Sequence, residues 1–392
     1  MLYGLLNLSF WGYVIAVLLL THMTVISVTL YLHRDKTHRA MDLHPIMAHV
    51  FRFWLWLTTG MVTKEWVAIH RKHHAKCETV DDPHSPQILG IKKVFWQGAE
   101  LYGIEAHNTE TLERYGHGCP DDWVERNLYT KYSKLGVSIM LVLDLVLFGI
   151  PGITVWALQM MWIPLFAAGV INGIGHYWGY RNFECPDAAR NVVPWSILTC
   201  GEELHNNHHT FGTSAKFSVK WWEFDLGWLY ISILKMFRLV KVRKTFPELE
   251  MVAEKKVIDV ETVKAFITNR FQIMSRYANE VIAPMIEREK KGISTNGRNL
   301  LAKAKVLLVR DSSLVSAEGK KKLSQILEER AQLKMVYQYR MKLQAIWDKT
   351  TASQKELLEA LQEWCHQAEA TGIDVLRQFA DHLRRFSAKP AT

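Results

Sequence analysis

Nine of the seventeen histidines fall into a few tight groups. His33 and His38 stand five residues apart, and His70, His73 and His74 form one HxxHH triplet. His205, His208 and His209 form a second triplet, and His176 follows Asn172 by four residues. Imidazole is a ligand for iron, zinc and copper, and nine are too many for one ion, so two metal ions are expected. On an α-helix, residues at i, i+3 and i+4 share a face, so each triplet can aim three rings at one place. Asn172 and His176 also share a face. His33 and His38 are about 140° apart on an ideal helix and need a helix end or a local irregularity to converge. A contiguous histidine tract would suit loose metal buffering, whereas these dispersed groups have to be assembled by folding. His22, His44, His49, His84, His107, His117, His366 and His382 are read as ordinary packing or surface residues.

The elements that must position these groups are apolar. No charged side chain precedes Arg34, and residues 10–32 are interrupted only by Thr, Ser, Gly and His22. That exceeds the roughly 20 residues a bilayer-spanning helix needs. Four segments read as membrane elements: 8–32, 45–62, 135–157 and 158–180. The last two form a hairpin with Pro151-Gly152 inside its first arm, and Trp156, Trp162, Tyr177 and Trp178 are candidate interfacial anchors. Asp144, inside the hairpin, is expected to face a neighbouring helix. Segment 45–62 carries His49 and Arg52 and is short enough to lie in the interface. Residues 63–134 hold ten Lys and Arg while none precedes Arg34, so the N-terminus is expected outside, with the loop and the C-terminus in the cytoplasm. Three spans and one interfacial helix then deliver all the histidine groups to the same side of the membrane.

Charge separates the two ends of the chain. Residues 1–250 hold 23 Lys+Arg against 22 Asp+Glu, and residues 251–392 hold 25 against 17. A basic soluble half fits the cytoplasmic side of a membrane protein. The five scattered cysteines contain no CxxC pair, so neither a disulfide framework nor a zinc ribbon is indicated, and a reducing compartment fits. After Pro247 the chain becomes Leu/Lys/Glu/Gln-rich at helical spacing, with breaks expected near Lys291-Gly292, Glu318-Gly319, Thr350-Thr351 and Thr371-Gly372. The fold class is therefore all-α: integral membrane helices with a cytoplasmic histidine-box domain over residues 1–250, and a soluble helical module over residues 251–392.

In these residues the chain resembles the membrane-bound fatty acid desaturases, most closely the bacterial acyl-CoA Δ9-desaturases. The resemblance is carried by Tyr31-Leu32-His33-Arg34 through His38, by Glu65-Trp66 through His74, and by Asp82-Pro83-His84-Ser85. It continues through Asn172 to His176 with Gly179-Tyr180-Arg181, and through Gly201-Glu202-Glu203-Leu204-His205 to His209. It covers roughly residues 8–245 and implies a diiron centre held by nine histidines, with the Asn172 position holding a water on one iron. It further implies O2 as co-substrate, a long-chain acyl-CoA or acyl lipid as substrate, electrons from a separate donor reductase, and a site on the cytoplasmic side of a bacterial inner membrane. Trp66, Tyr177 and Trp178 are then candidates for lining a kinked acyl tunnel. Glu65, Asp82, Glu202 and Glu203 are candidates for orienting the ligand rings. One departure concerns the carrier: family members that bind coenzyme A tightly carry Arg-Asp where this chain has Ala68-Ile69. A related membrane hydroxylase would use similar boxes and make an alcohol. A metal-binding scaffold or transporter would line a path through the bilayer with its ligands. The run from Glu359 through Gly372 to Leu383 is similar to the helical tail of some bacterial transposases. Without an acidic nuclease triad it is read as an interaction module, and nucleic acid is not an expected partner.

Overall fold

The computed structural model describes residues 2–291, 301, 304–349 and 353–388. It is mostly helical, with three two-stranded pairings added to the all-α expectation. These are Met41–Leu43 antiparallel to Val240–Val242, Trp195–Ser196 parallel to Phe224–Asp225, and Leu249–Met251 antiparallel to Phe386–Ala388. The chain divides into two compact units: Met1–Arg181 with Asp187–Phe246, and Asn182–Pro186 with Pro247–Thr392. The division expected after residue 250 thus lies at Phe246, and five residues of the first half join the second unit.

In the first unit, two helices are long and apolar enough to cross a membrane, Phe10–Thr37 and Pro151–His176. At 1.5 Å per residue the first is about 42 Å long, more than the ~30 Å hydrocarbon core of a bilayer. Ser9 caps its start by accepting from the Gly12 N–H. The expected hairpin is present but its turn is displaced. Helix Ser133–Phe148 ends at Gly149, whose φ of 68° is left-handed, and the next helix starts at Pro151 rather than after residue 157. Glycine ends a helix readily in that conformation, and proline starts one because its missing N–H is needed there by no partner. Asp144 is fully buried and accepts a 2.7 Å hydrogen bond from Gln159 Nε2 of the facing helix. Farther along, Pro164 interrupts the α-helical ladder and residues 164–173 wind with i→i+5 hydrogen bonds. Helix Ile91–Ala106 packs closely here: a Cβ on Gly98 would stand 2.6 Å from the Ala168 Cβ.

Helix Pro45–Thr59 occupies the segment expected to lie in the interface. Ile46, Val50 and Phe53 form an exposed apolar stripe, while the buried Arg52 is held by both carboxylate oxygens of Asp122 at 2.6 and 3.0 Å.

The second unit is mostly helical, includes the pairing of Leu249–Met251 with Phe386–Ala388, and has its own core, in which Phe266, Tyr277, Leu333, Leu343, Leu361 and Phe379 are buried. The Tyr277 hydroxyl donates to the Val336 carbonyl at 2.7 Å, so this buried polar group is satisfied. Residues 182–186 join it through Glu184, 3.2 Å from Arg310. The break at Thr371-Gly372 separates helices Gln354–Ala370 and Asp374–Arg385. Glu318-Gly319, by contrast, lies in the first turn of helix Ala317–Glu329, because Ser316 caps that helix through the Gly319 N–H. The breaks expected at Gly292 and Thr350-Thr351 fall outside the described residues.

Within the first unit, Arg34 joins the end of the first helix to the chain beyond residue 200. Its guanidinium is fully buried, donates to the Ala215 and Cys200 carbonyls, lies 3.0 Å from Asp225 Oδ1 and sits 3.9 Å over the Phe217 ring. Removing one charge of such a pair strands the other, a loss of about 3–5 kcal/mol, whereas removing both costs less. Arg34→Met is therefore expected to lower the thermal unfolding midpoint of the solubilised protein well below that of the Arg34→Met/Asp225→Asn double variant. Equal midpoints would mean the pair does not clasp the two segments.

Candidate metal centre

His33 and His38 converge because the first helix changes its winding. Residues 28–37 wind with i→i+5 backbone bonds, as in the His38 N–H donating to the His33 carbonyl at 3.1 Å, and the Thr37 side-chain hydroxyl donates to the Leu32 carbonyl at 2.8 Å. This wider winding brings residues five apart nearer to the same side than an α-helix does, and the two rings lie 4.8 Å apart.

The triplets do not aim three rings at one place, as their spacing alone suggested. At about 100° per residue, positions i+3 and i+4 point about 100° apart, which is enough to serve two centres. His70 and His74 of helix Thr63–Lys76 turn to one side and His73 to the other. In helix His205–Thr210 the split is reversed, with His208 joining the first group and His205 and His209 the second. The first group is His33, His38, His70, His74 and His208. Around it the Nε2 atoms of His33, His70, His74 and His208 form a closed ring with edges of 2.9, 3.1, 3.0 and 3.0 Å. In the second group His73, His176 and His209 lie together with Cys77, and His205 joins them through His176. His176 Nε2 is 3.2 Å from His73 Nε2 and 2.9 Å from His205 Nε2, and the His209 ring lies 4.4 Å from that of His205. His74 and His209, one from each group, stack at 4.2 Å.

These distances test whether metal ions fit. Two imidazoles bound to one ion at about 2.1 Å, at right angles to each other, place their nitrogens about 3.0 Å apart, which matches the edges of the ring. Nε2 of His38 and of His209 is buried without a hydrogen-bond partner, an arrangement that leaves a lone pair for a ligand bond. Burial, reinforced by the neighbouring imidazoles, holds His38, His70, His74, His205, His208 and His209 well below the ordinary imidazole pKa. They are therefore neutral at pH 7, the form that ligates metal. The donor set fits two first-row transition ions.

Four carboxylates orient the rings. His33 Nδ1 lies 2.7 Å from Glu202, His73 Nδ1 2.9 Å from Asp82, His176 Nδ1 3.0 Å from Glu78 and His209 Nδ1 3.3 Å from Asp187. An ionised carboxylate only accepts, so each Nδ1 carries the proton and each Nε2 is left to the centre. Burial alone would raise these acids, but the His33 ring keeps Glu202 below its ordinary range and His176 does the same for Glu78. Burial opposes a charge on His73, yet Asp82 outweighs it and raises that pKa.

Glu202 and Asp82 were among the acids picked from sequence; Glu203 and Glu65 do not take that role. Glu203 instead accepts from the Ser196 and Thr199 hydroxyls and from the Thr199 N–H, fastening the loop before the last box. Glu65 instead lines a cavity. Sequence reasoning missed Glu78, Asp187 and His84. Glu78 has a left-handed φ of 61°, a strained backbone for a residue with a side chain, and the cluster of bonds it makes to His176, Ser85 and Ala188 over-determines that conformation. Only its place just after a histidine box hinted at it; Asp187 lies in a loop with no spacing signal. His84, read as ordinary, is buried and stacks on His73 at 4.3 Å, and burial lowers its pKa to about 3.

A cavity of about 290 Å³ adjoins the rings. Val25, Val28, Met61, Trp66, Ile163 and Phe166 supply apolar wall, and His33, His70, His205 and Asn172 border it. Trp66 also stacks on His70 at 4.9 Å. Tyr177 and Trp178 are corrections: they are exposed and outside the cavity wall, because the helix ends at His176 and the chain turns them outward.

Residues 8–232 match the family model for fatty acid desaturases, and residues 262–389 match one for transposases. An sn-1 stearoyl-lipid 9-desaturase of Synechocystis is 30% identical over 229 residues, 58% of this chain and 70% of that protein. A probable chloroplastic lipid desaturase of Arabidopsis thaliana is 31% identical, over 58% of this chain and 62% of the relative. An sn-2 palmitoyl-lipid 9-desaturase of Nostoc is 32% identical over 184 residues, 45% of this chain and 61% of its own length.

The carboxylate contacts yield a test. Asp82→Asn and Glu202→Gln are expected to reduce metal affinity or activity about 10- to 100-fold each, as loss of a ring-orienting partner typically does. Metal retained against a chelator titration measures it; unchanged retention in both would show that these acids do not orient ligands.

Proposed function

Because this chain belongs to the fatty acid desaturase family, we propose that its first unit introduces a double bond into a saturated long-chain acyl group at two irons. His33, His38, His70, His74 and His208 would hold one iron, and His73, His176, His205 and His209 the other, with Asn172 beside the second through a water. The observation that carries this reading is the pair of imidazole groups bordering an apolar cavity. When bound, the irons would supply the oxidising power of O2 with two electrons from a separate reductase, consuming two protons and releasing two waters per double bond. The protein's own residues do the rest. Glu202, Asp82, Glu78 and Asp187 keep the Nδ1 protons and hold the rings, Trp66 braces His70, and the apolar wall positions the chain and excludes water.

For the carrier we favour a lipid-linked acyl group over acyl-CoA, with position 9 as the site of the double bond. Support comes from Ala68-Ile69, which lacks the Arg-Asp pair of tight coenzyme A binders, and from relatives that are named as lipid 9-desaturases. Helices Phe10–Thr37 and Pro151–His176 are read as spans of a bacterial inner membrane, with helix Ser133–Phe148 completing a hairpin and the histidine boxes in the cytoplasm. The second unit is read as a helical interaction module, with nucleic acid not expected as its partner.

Expression in a host that lacks this desaturation, followed by gas chromatography of each lipid class, tests the reaction. His73→Ala and His208→Ala are expected to abolish the unsaturated product and lower bound iron while membrane insertion persists. His107→Ala and His366→Ala should leave both near normal. An alcohol product would favour the related hydroxylase. Full turnover with full iron in either box variant would remove the diiron reading. Ending the chain after Phe246 is expected to leave bound iron unchanged, since every ligand named precedes residue 210; iron lost from inserted protein would make the second unit part of the centre.

A further inference from the structure

The helix Leu226–Met236 has a composition that water does not explain. Leu229, Ile233, Met236 and Phe237 recur at i, i+4, i+7 and i+8 and are all exposed, Met236 by 79%. The opposite side is apolar too: Gly227 and Ile231 are buried. A helix on an aqueous surface carries polar residues on its outer face, and one that is apolar all round sits in an apolar medium. At 11 residues, about 16 Å, it is too short to cross a bilayer.

Its neighbours fix what the exposed stripe faces. Gly227 lies against Arg34, at the end of the first long helix, where a Cβ would meet Arg34 Nη2 at 2.7 Å. Tyr230, on the same side as Ile233 and Phe237, reaches in the other direction: its hydroxyl lies 2.7 Å from Nε2 of His22, twelve residues earlier in that long helix. The stripe therefore points along the long helix toward its apolar middle. Beyond the helix, Val240–Val242 pairs with Met41–Leu43, immediately before helix Pro45–Thr59 and its own exposed stripe of Ile46, Val50 and Phe53. Charge is equally one-sided. Residues 226–247 contain Lys235, Arg238, Lys241, Arg243 and Lys244 and no acidic residue. Just before them, Trp221 and Trp222 are exposed, and tryptophan side chains concentrate at head-group level.

We infer that residues 221–244 form a lipid-docking element, with helix Leu226–Met236 seated at the boundary of head groups and acyl chains of an anionic leaflet. The apolar stripe enters the hydrocarbon, and Lys235, Arg238, Lys241 and Lys244 meet lipid phosphates. This rests on the reading of Phe10–Thr37 as a span and goes beyond it, because a segment that follows the last histidine box returns to the membrane. It also brings a lipid surface to the loop whose Ile197 and Leu198 are exposed and whose Thr199 borders the cavity, which suits a substrate that stays attached to its glycerolipid.

Nitroxide labels on Leu229→Cys, Ile233→Cys and Phe237→Cys, with Leu19→Cys as a span reference, test this in the full-length protein. The protein would be reconstituted in phosphatidylcholine vesicles with and without phosphatidylglycerol, and background labelling measured on the unsubstituted chain. The expected result is frequent collision with oxygen and severalfold fewer collisions with a water-soluble nickel chelate at all four positions. Neutralising Lys235, Lys241 and Lys244 to Gln should raise nickel collisions at Ile233→Cys in the phosphatidylglycerol vesicles. Nickel-accessible labels at 229, 233 and 237 beside a lipid-exposed label at 19 would overturn the docking element while leaving the span. Labels there shielded from both reagents would overturn it in favour of a protein contact. A nickel-accessible label at 19 would remove the span itself, and the docking element with it.

Discussion

Everything in the first unit depends on holding nine imidazole lone pairs within two small volumes without paying for nine buried charges. Burial keeps six of the rings, His38, His70, His74, His205, His208 and His209, neutral, since a protonated imidazole surrounded by others is penalised both by lost hydration and by its neighbours. Neutrality alone leaves each ring free to choose a tautomer. The carboxylates of Glu202, Asp82, Glu78 and Asp187 remove that choice for four rings, and each carboxylate is itself placed by a helix end, a strained turn or a loop. The strain at Glu78 and the fully buried Arg34–Asp225 pair are costs that make sense only as supports of this cluster.

The division of each triplet follows from the same geometry. A helix cannot present i, i+3 and i+4 to a single point once the side chains are as short and rigid as histidine. The two triplets therefore contribute two rings to one group and one to the other, in opposite order, and the stacked His74–His209 pair marks where the groups meet. Such an exchange ties helix Thr63–Lys76 to helix His205–Thr210 across both groups, so neither box can shift without disturbing both. The cavity beside them inherits its position: Trp66 both stacks on a ligand ring and forms apolar wall, so the same helix sets the centre and the space next to it.

Much of this was legible in the amino-acid order, because local periodicity is a local property. The apolar run ending at His33, the hairpin, the histidine groups and the change of character after Pro247 all follow from spacing and composition. The hairpin turn was misplaced because Gly149 and Pro151 stand only two residues apart, and only backbone conformation tells which residue ends one helix and which begins the next. Glu318-Gly319 misled for a related reason: a glycine in a first turn takes part in capping and does not break the helix.

What spacing could not supply was direction. The i→i+5 winding that brings His33 and His38 together is set by packing around residues 28–37 and leaves no mark in the order of side chains. Asp187 and His84 reach the rings from loops, and Tyr177 and Trp178 turn away from the cavity although they adjoin His176, since a loop's path is decided by what it packs against. The sequence by itself determined which groups could bind metal, that they had to be gathered by apolar helices, and roughly where the chain divides. Tertiary structure alone decided how nine rings divide between two groups, because ring orientation depends on partners far away in the chain, and hydrogen bonds and burial select it only after the chain has folded.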